Sequence, residues 1–441
     1  MASTNPTKHD TQIPIGGEDR IAIIDGVRTP FAKAWTVYED WNEADLGRVA
    51  VRELVERTEL DPELIDELVM GCVSAPMNGP NVAREVVLRT PLPREIPAST
   101  NQMYCASSAL ACVNAAGSLI MGGADIAIAG GVESMSGAQA RVSLPLTQAL
   151  NEASSAKSPT EMLQAFKDVD PDDLLPEAPA IAEPTTGDRM GDSAEKMAKQ
   201  YGIGRREQDE YAEMTHHRAA EAFEEGRFPE VVPVLTGDKR DNPVERDTLV
   251  RGDTTVDQMA NLSPVFDRNH GTVTAANSSP LTDGASAILL MRESKAKELG
   301  FEPKAYLRSY AQAGVDLFEM PMLMGPTLAT PKALARGGLT LEDMDLVEMH
   351  EAFAAQILAN LKVWQSEELC REIGLDEAIG EVDMDTFNVN GGSIPIGHPF
   401  GATGTRMIMQ LAGEMERRDV EHGLLTMCAA GGLGLSMVLE R

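Results

Sequence analysis

Three segments far apart in the chain each set a reactive side chain among small residues. Cys105 lies in NQMYCASSALACVNAAGSLIMGG, where the run after it reads as the first turns of a tightly packed helix. The unpaired N–H groups and positive dipole end of such a helix favour a thiolate, which predicts a Cys105 pKa lowered toward working pH. His398 lies in GGSIPIGHPFGATG, flanked by Gly397 and Pro399 and followed by Gly401 and Gly404. A turn of that composition lets backbone and substrate approach closely before a helix begins, and an imidazole placed there is a candidate base. Cys428, in MCAAGGLG, supplies a second thiol. A small-residue run around one cysteine usually marks a buried helix contact. A thiol nucleophile with a base and a further thiol instead points to covalent acyl transfer.

The other histidines carry less. His9, His216, His217 and His422 have polar surroundings that read as surface, and His270 beside Asp267 and Arg268 is undetermined. His350 in HEAFAAQ could open the zinc motif HExxH, but residue 354 is Ala. The glycines after Cys428 fail as a dinucleotide loop, because LSMVLE ends the chain as a strand and no helix follows. No metal ligand set is therefore assigned.

Positioning these groups falls to alternating α/β elements. RIAIIDGVRTPF, IDELVMGCV and ADIAIAGGVESMS read as strands, and ADLGRVAVRELVERTEL as an amphipathic helix. From about residue 301 the order returns: strand AYLRSYAQAG, a helix near PTLATPKALARGG, strand DLVEMHEAFA, the His398 turn and helix, and one strand through LLTMCAAGGLGLSMVLE. In both halves a turn-to-helix element carries a reactive side chain, and the next strand ends in a Gly pair, Gly130–Gly131 and Gly431–Gly432. That order suggests duplication of one α/β unit. The expected division is a loose arm over 1–20, an N-terminal domain over 21–136 plus 265–300, an inserted loop domain over 137–264, and a C-terminal domain over 301–441. The insertion carries the Pro-spaced acidic run DVDPDDLLPEAPAIAEP and the polar helix RREQDEYAEMTHHRAAEAFEEGRF.

Composition narrows the function. Lys plus Arg total 38 against 69 Asp plus Glu, and a net charge of −31 repels polyanions, which excludes a nucleic-acid binder as a class. Five cysteines without CxxC spacing fit a reducing compartment better than a disulfide framework or a zinc site. The first twenty residues lack the apolar core of a secretory signal, and the stretch from Ser118 to Val132 is too short and too interrupted to span a bilayer. A cytoplasmic protein with at most peripheral membrane contact is expected.

NQMYCASSAL, GTVTAANSSPLTDGASA, HEAFAAQ, NVNGGSIPIGHPFGATG and CAAGGLG resemble, in order, the sequence blocks of the thiolase family over about residues 20–441. RTPFAK, EPTTGDRMGDSAEKMAKQYGI and the His of HEAF are most similar to thiolase β-subunits of fatty-acid oxidation complexes; many other thiolases have Asn at the position of His350. The resemblance implies a duplicated α-β-α-β-α layered fold with an inserted loop domain. It implies 3-ketoacyl-CoA thiolysis, in which Cys105 takes the acyl group, His398 accepts its proton, and Cys428 protonates the departing acetyl-CoA carbanion. One oxyanion hole would combine His398 with a water held by His350. The other would use the N–H groups of Cys105 and Ala430, where Ala430 replaces a Gly of the family pattern CxGGGxG. Ser279 would face the pantetheine arm and Met190 the channel, with Arg189 standing where relatives often have His. The implied partners are acyl-CoA, CoA as substrate rather than cofactor, a second copy in a homodimer or higher oligomer, and a hydratase/dehydrogenase α-subunit. A biosynthetic acetoacetyl-CoA thiolase shares every catalytic residue. A decarboxylating ketoacyl synthase would use Cys105, His350 and His398 but has no need of Cys428, and a non-catalytic carrier on the same fold is the third alternative.

Overall fold

The apolar run at residue 21 forms β1 (Ile21–Arg28), buried along nearly its whole length because helices cover both its faces. The computed structural model describes residues 15–176, 182–237 and 241–441. The remaining strands are β2 (Ala32–Lys33), β3 (Glu67–Gly71), β4 (Ala98–Asn101), β5 (Ile126–Glu133), β6 (Val234–Thr236), β7 (Asn242–Val244), β8 (Thr282–Arg292), β9 (Ala305–Gly314), β10 (Leu346–Met349), β11 (His422–Ala429) and β12 (Leu433–Glu440). Among the described residues, β6 and β7 form a separate hairpin, and the other ten strands form one sheet in which β2 pairs only with β8.

The order of that sheet carries the duplication. Its path runs β10-β11-β12-β9-β1-β8-β5-β3-β4. Read outward from the β1–β9 junction, the first half runs β1-β8-β5-β3-β4 and the second β9-β12-β11-β10, and the pairing senses match step by step. β8 is antiparallel to β1 as β12 is to β9. β5 is antiparallel to β8 as β11 is to β12, and β3 is parallel to β5 as β10 is to β11. Even the place of β4 is kept, since Phe387 makes a parallel bridge to Val347 of β10. The glycine pairs, by contrast, are not equivalent. Gly130–Gly131 lie inside β5, whereas Gly431 and Gly432, at φ 72° and 67°, turn the chain between β11 and β12. The final stretch expected as one strand is thus a hairpin, because two consecutive left-handed residues cannot continue a strand.

The helix Ser107–Met121 joins β4 to β5, and the helix Thr403–Arg418 occupies the equivalent step before β11. They pack on one another and on the same strands, so closely that a Cβ on Gly404 would come within 2.4 Å of the Ala109 nitrogen. Their apolar faces and the strands around them share one core cluster. The first of these helices, with its preceding turn, is long and apolar enough to cross a membrane, yet here it serves as a core helix. The helices Glu43–Thr58 and Val82–Leu88 cover the outer face of the first half, and Gly325–Gly337 that of the second.

The division differs from the expected one in two places. Residues 1–14 of the expected arm lie outside the described residues, and 15–20 are tied down. Ile15 N–H donates to the Arg308 carbonyl, and Arg20 pairs with Glu293 and Glu440. The second compact unit spans only Ala138–Arg189. Residues 190–264, expected in the same insertion, belong to the main unit. The reason lies in the helix Arg205–Glu224, whose Tyr211, Ala212, Thr215 and Ala219 are buried although its charged residues make the segment read as solvated. On this helix His216, expected on the surface, is buried; its Nδ1 accepts from Arg251 N–H at 3.2 Å, and burial lowers its pKa to about 4. The second unit itself holds helices Leu144–Ser155 and Pro159–Gln164, with Ser143 capping the first and donating to the Asp173 carbonyl.

Candidate active site

Cys105 stands on a sharp turn. Tyr104, just before it, is forced to φ 48°, a left-handed conformation that costs an L-residue about 1–2 kcal/mol. Ala106 then caps the helix that begins at Ser107, so Cys105 precedes the helix rather than starting it. Ser107 locks the turn, accepting from Met103 N–H at 2.9 Å and donating to the Tyr104 carbonyl at 2.6 Å. The backbone N–H groups of Ala430 and of Cys105 itself both point at the Cys105 sulfur. Ala430 is outside the left-handed region that Gly431 and Gly432 occupy, so its side chain is accommodated and its N–H keeps its aim.

His398 is placed by the equivalent turn of the second half. Its backbone N–H donates to Thr282 Oγ1 at 2.7 Å, at the first residue of β8. Gly401 holds the turn against the first half: its N–H donates to Glu133 Oε2 at 2.9 Å, and a Cβ there would come within 2.2 Å of the Val132 carbonyl oxygen. Glu133 also accepts from Val73 and Ser74 N–H, so one buried carboxylate ties the ends of β3 and β5 to the His398 turn. Burial pushes Glu133 up to about 7 despite these donors.

His350 follows β10 directly. Glu351 beside it accepts from Tyr211 Oη, Thr215 Oγ1, Asn388 Nδ2 and Ile394 N–H, four donors at 2.7–3.1 Å that bind this turn to the helix Arg205–Glu224 and to the segment before His398. Cys428 closes the set near the end of β11, opposite Gly434 of β12.

These residues meet. The Cys105 sulfur and one ring nitrogen from each of His350 and His398 lie within 4.8 Å of one another, and the two rings are 4.1 Å apart between centroids. Each Nδ1 is bonded, to Thr403 Oγ1 at 2.7 Å for His398 and to Ser393 Oγ at 2.9 Å for His350, while both Nε2 atoms are buried with no partner among the described residues. Cys428 is close enough to Cys105 for the two thiolates to repel. Burial dominates the electrostatics. It pushes Cys105 up to about 12, drives Cys428 well above the usual thiol range, lowers His398 to about 3 and holds His350 well below the usual imidazole range. The expected lowering of the Cys105 pKa is thus reversed: the Ala430 and Cys105 N–H groups act in that direction, but desolvation of the thiolate outweighs them. The resting pair is a neutral thiol beside a neutral imidazole.

Of the other expected contacts, Ser279 is half-buried in the segment threaded between the two histidine turns, its N–H on the Ala352 carbonyl. Met190 packs on the cluster that contains Cys428 and Phe353. Arg189 ends the second unit, where it bridges Ala182 in antiparallel fashion. Sequence reasoning passed over Thr403, Ser393, Arg406 and Glu351, which back the histidines; their one visible signal is that each falls inside or within two residues of a quoted block.

Two thiols and two imidazoles gathered into a buried pocket by a duplicated α/β scaffold define a thiol-dependent acyltransferase. The Thiolase, N-terminal domain family matches residues 21–294 and the Thiolase, C-terminal domain family residues 301–441. The chain belongs to the thiolase family. It is 51% identical over 424 residues to a 3-ketoacyl-CoA thiolase of Yersinia pestis (strain Pestoides F), covering 96% of this chain and 97% of that protein. A second 3-ketoacyl-CoA thiolase, from Yersinia enterocolitica, is 49% identical over 423 residues, with the same shares covered. Among solved structures, the Bacillus anthracis acetyl-CoA acetyltransferase superposes with a TM-score of 0.82 at 30% identity, over 98% of this chain and 100% of that one. Human mitochondrial 3-ketoacyl-CoA thiolase in complex with CoA gives 0.80 at 28% identity, with the same coverage.

Proposed function

We propose that this chain is a 3-ketoacyl-CoA thiolase of fatty-acid β-oxidation, converting 3-ketoacyl-CoA and CoA into acetyl-CoA and an acyl-CoA two carbons shorter. The observation that carries the reading is the convergence of Cys105, His350 and His398 within 4.8 Å, with Cys428 beside them. His398 Nε2 takes the Cys105 proton as the sulfur attacks the 3-keto carbon. The C2–C3 bond then breaks, the acyl group stays on Cys105, and the electron pair leaves on the acetyl-CoA enolate. Cys428, kept protonated by burial, gives that carbanion its proton. The His398 imidazolium then passes its proton back to the Cys428 thiolate; CoA enters as a thiol, the neutral His398 removes its proton, and the CoA sulfur takes the acyl group while that proton goes to the departing Cys105 sulfur. The alkoxide formed on attack is met by the Cys105 and Ala430 N–H groups, and the thioester oxygen that takes the charge of the departing acetyl-CoA enolate by His398 and a water held by His350.

CoA serves as substrate, and the chemistry calls for no cofactor or metal, because the thioester acidifies the α-proton and two thiols handle acyl group and proton. Ser279 and Met190 are assigned to the pantetheine channel. The enzyme works in the cytoplasm, a setting that five free cysteines support, as a homodimer or higher oligomer. A hydratase/dehydrogenase α-subunit is the proposed heterologous partner. Exposed Leu144, Leu163, Leu174 and Leu175 on the second unit support a protein or peripheral membrane contact there.

The deciding experiment is thiolysis by the purified chain of 3-ketoacyl-CoAs of increasing length. CoA-dependent release of acetyl-CoA from long substrates is expected. Activity confined to acetoacetyl-CoA would make it a biosynthetic thiolase, and condensation driven by decarboxylation without thiolysis would overturn the reading.

A further inference from the structure

The two active-site imidazoles are backed by different hydroxyls, and following each hydroxyl proton separates their roles. Behind His398, Thr403 Oγ1 donates to the Pro399 carbonyl at 3.0 Å while lying 2.7 Å from His398 Nδ1. With its one proton on Pro399, Thr403 accepts from Nδ1–H, and the neutral ring presents a bare Nε2 to the pocket. Behind His350 the bonding runs the other way. Arg406 Nη2 reaches Ser393 Oγ at 2.8 Å, and a guanidinium can only donate, so Ser393 accepts there. The Ser393 proton then has one acceptor among the described residues, His350 Nδ1 at 2.9 Å. Were His350 to donate from Nδ1 instead, Ser393 would accept twice and its own proton would be buried with no partner, a cost proteins rarely carry.

We propose that Ser393, oriented by Arg406, is a positioning residue that locks His350 as the Nε2–H tautomer and dedicates it to donating into the oxyanion hole. The inference rests on the thiolase reading of the site and adds a division of labour to it: His398 moves protons and His350 does not. Ser393, His350 and Arg406 are all fully buried, which keeps bulk water from competing for the hydroxyl. Arg406 is itself held by Glu348 and Gln410 through Nη1, at 2.7 and 2.8 Å. Its charge also opposes an imidazolium at His350, the same direction in which burial and the neighbouring His398 act. Thr403 and Arg406, three residues apart on one helix, face the same way, so one helical turn fixes both rings in opposite tautomers.

The test has two arms. Nitrogen-15 NMR of the wild-type enzyme, with His350 assigned by its loss in His350→Asn, should show a pyridine-like Nδ1 and a protonated Nε2 at neutral pH. A protonated Nδ1 with a bare Nε2 overturns the proposal without touching the thiolase reading, which a working thiolysis assay upholds separately. In the second arm, Ser393→Ala should cut kcat roughly tenfold to a hundredfold, by analogy with weakening one oxyanion donor, with KM changed less. The loss should shrink to within about twofold when made on the His350→Asn background, where there is no tautomer to set. An equal loss in both backgrounds would make Ser393 a packing residue and refute the proposal. If Ser393→Ala fails to fold, the wild-type spectrum alone still decides.

Discussion

Thr403→Val tests whether a hydroxyl behind His398 governs acyl transfer. Valine keeps the shape of threonine and removes only the acceptor that lies 2.7 Å from Nδ1. The Pro399 carbonyl, which also loses the Thr403 hydroxyl, retains the Ala402 and Thr403 N–H groups at 2.9 and 3.1 Å and is not orphaned. The damage is therefore confined to the ring. A buried N–H without a partner costs about 1–3 kcal/mol, and more when the donor is charged. The charged state is the one that matters, because His398 must become an imidazolium as it takes the Cys105 proton, in a site where burial already lowers its pKa to about 3. If the charged ring loses about 1.5–3 kcal/mol more than the neutral one, acylation slows by roughly tenfold to a hundredfold. The freed ring can also adopt the opposite tautomer, whose Nε2–H cannot accept the thiol proton. Single-turnover acylation of Cys105, quenched and read by mass spectrometry, measures the step directly, with thermal melting as the control for folding. An acylation rate within about twofold of wild type, at unchanged melting temperature, would refute the argument that Thr403 sets the base.

Cys105→Ser should show no acyl-enzyme, whereas Cys428→Ser should still acylate from acyl-CoA yet fail to cleave 3-ketoacyl-CoA; the reverse pattern by mass spectrometry would exchange the two thiols. A free-enzyme Cys105 pushed up to about 12 and a His398 lowered to about 3 place no ion pair between them at neutral pH, so iodoacetamide alkylation of Cys105 should rise with pH from 7 to 10. A flat rate from pH 5 to 8 would instead indicate a preformed thiolate. His350→Asn should keep much more activity than His350→Ala, which loses the oxyanion-hole water at about 3 kcal/mol, some hundredfold in kcat; equal and near-complete loss in both would turn His350 into a proton-transfer group. Gly401→Ala should abolish activity and lower the melting temperature, since its Cβ would meet the Val132 and Gly71 carbonyl oxygens at 2.2 and 2.7 Å; a variant with wild-type kcat would show that the His398 turn can shift without consequence.

The strands and the reactive residues were legible because each leaves a local signal. Buried strands read as apolar runs, and Cys105, His398 and Cys428 sit in small-residue contexts that are each ordinary alone but together point to acyl transfer. What stayed hidden depends on partners distant in sequence. The helix Arg205–Glu224 looks solvated because Arg, Glu and His alternate along it, yet Tyr211 and Thr215 reach Glu351 well over a hundred residues away. The Cys105 pKa was misjudged for a related reason. The helix end was visible in sequence, whereas the burial that outweighs it comes from the whole fold. Helix-end charge is worth about 0.3–1 kcal/mol, up to ~2 in partly buried geometry, while each unit of pKa is about 1.4 kcal/mol, so a shift to about 12 lies beyond what the dipole can offset.

The duplication explains why nucleophile and base come to one pocket at all. Cys105 and His398 each precede the helix that follows the β4-like position of their half, and because those two helices pack together, their N-terminal turns converge. Symmetry alone would deliver two equivalent turns, not two roles. The roles diverge through what each turn was given: a left-handed Tyr104 that exposes a sulfur in one, and a glycine-lined His398 with Thr403 behind it in the other. His350 enters from the β10 turn with a third arrangement, a hydroxyl whose proton is already committed. The pocket thereby rests uncharged, which suits an incoming neutral ketone. Charge is created only as the sulfur attacks, when the Ala430 and Cys105 N–H groups already face the place where it forms.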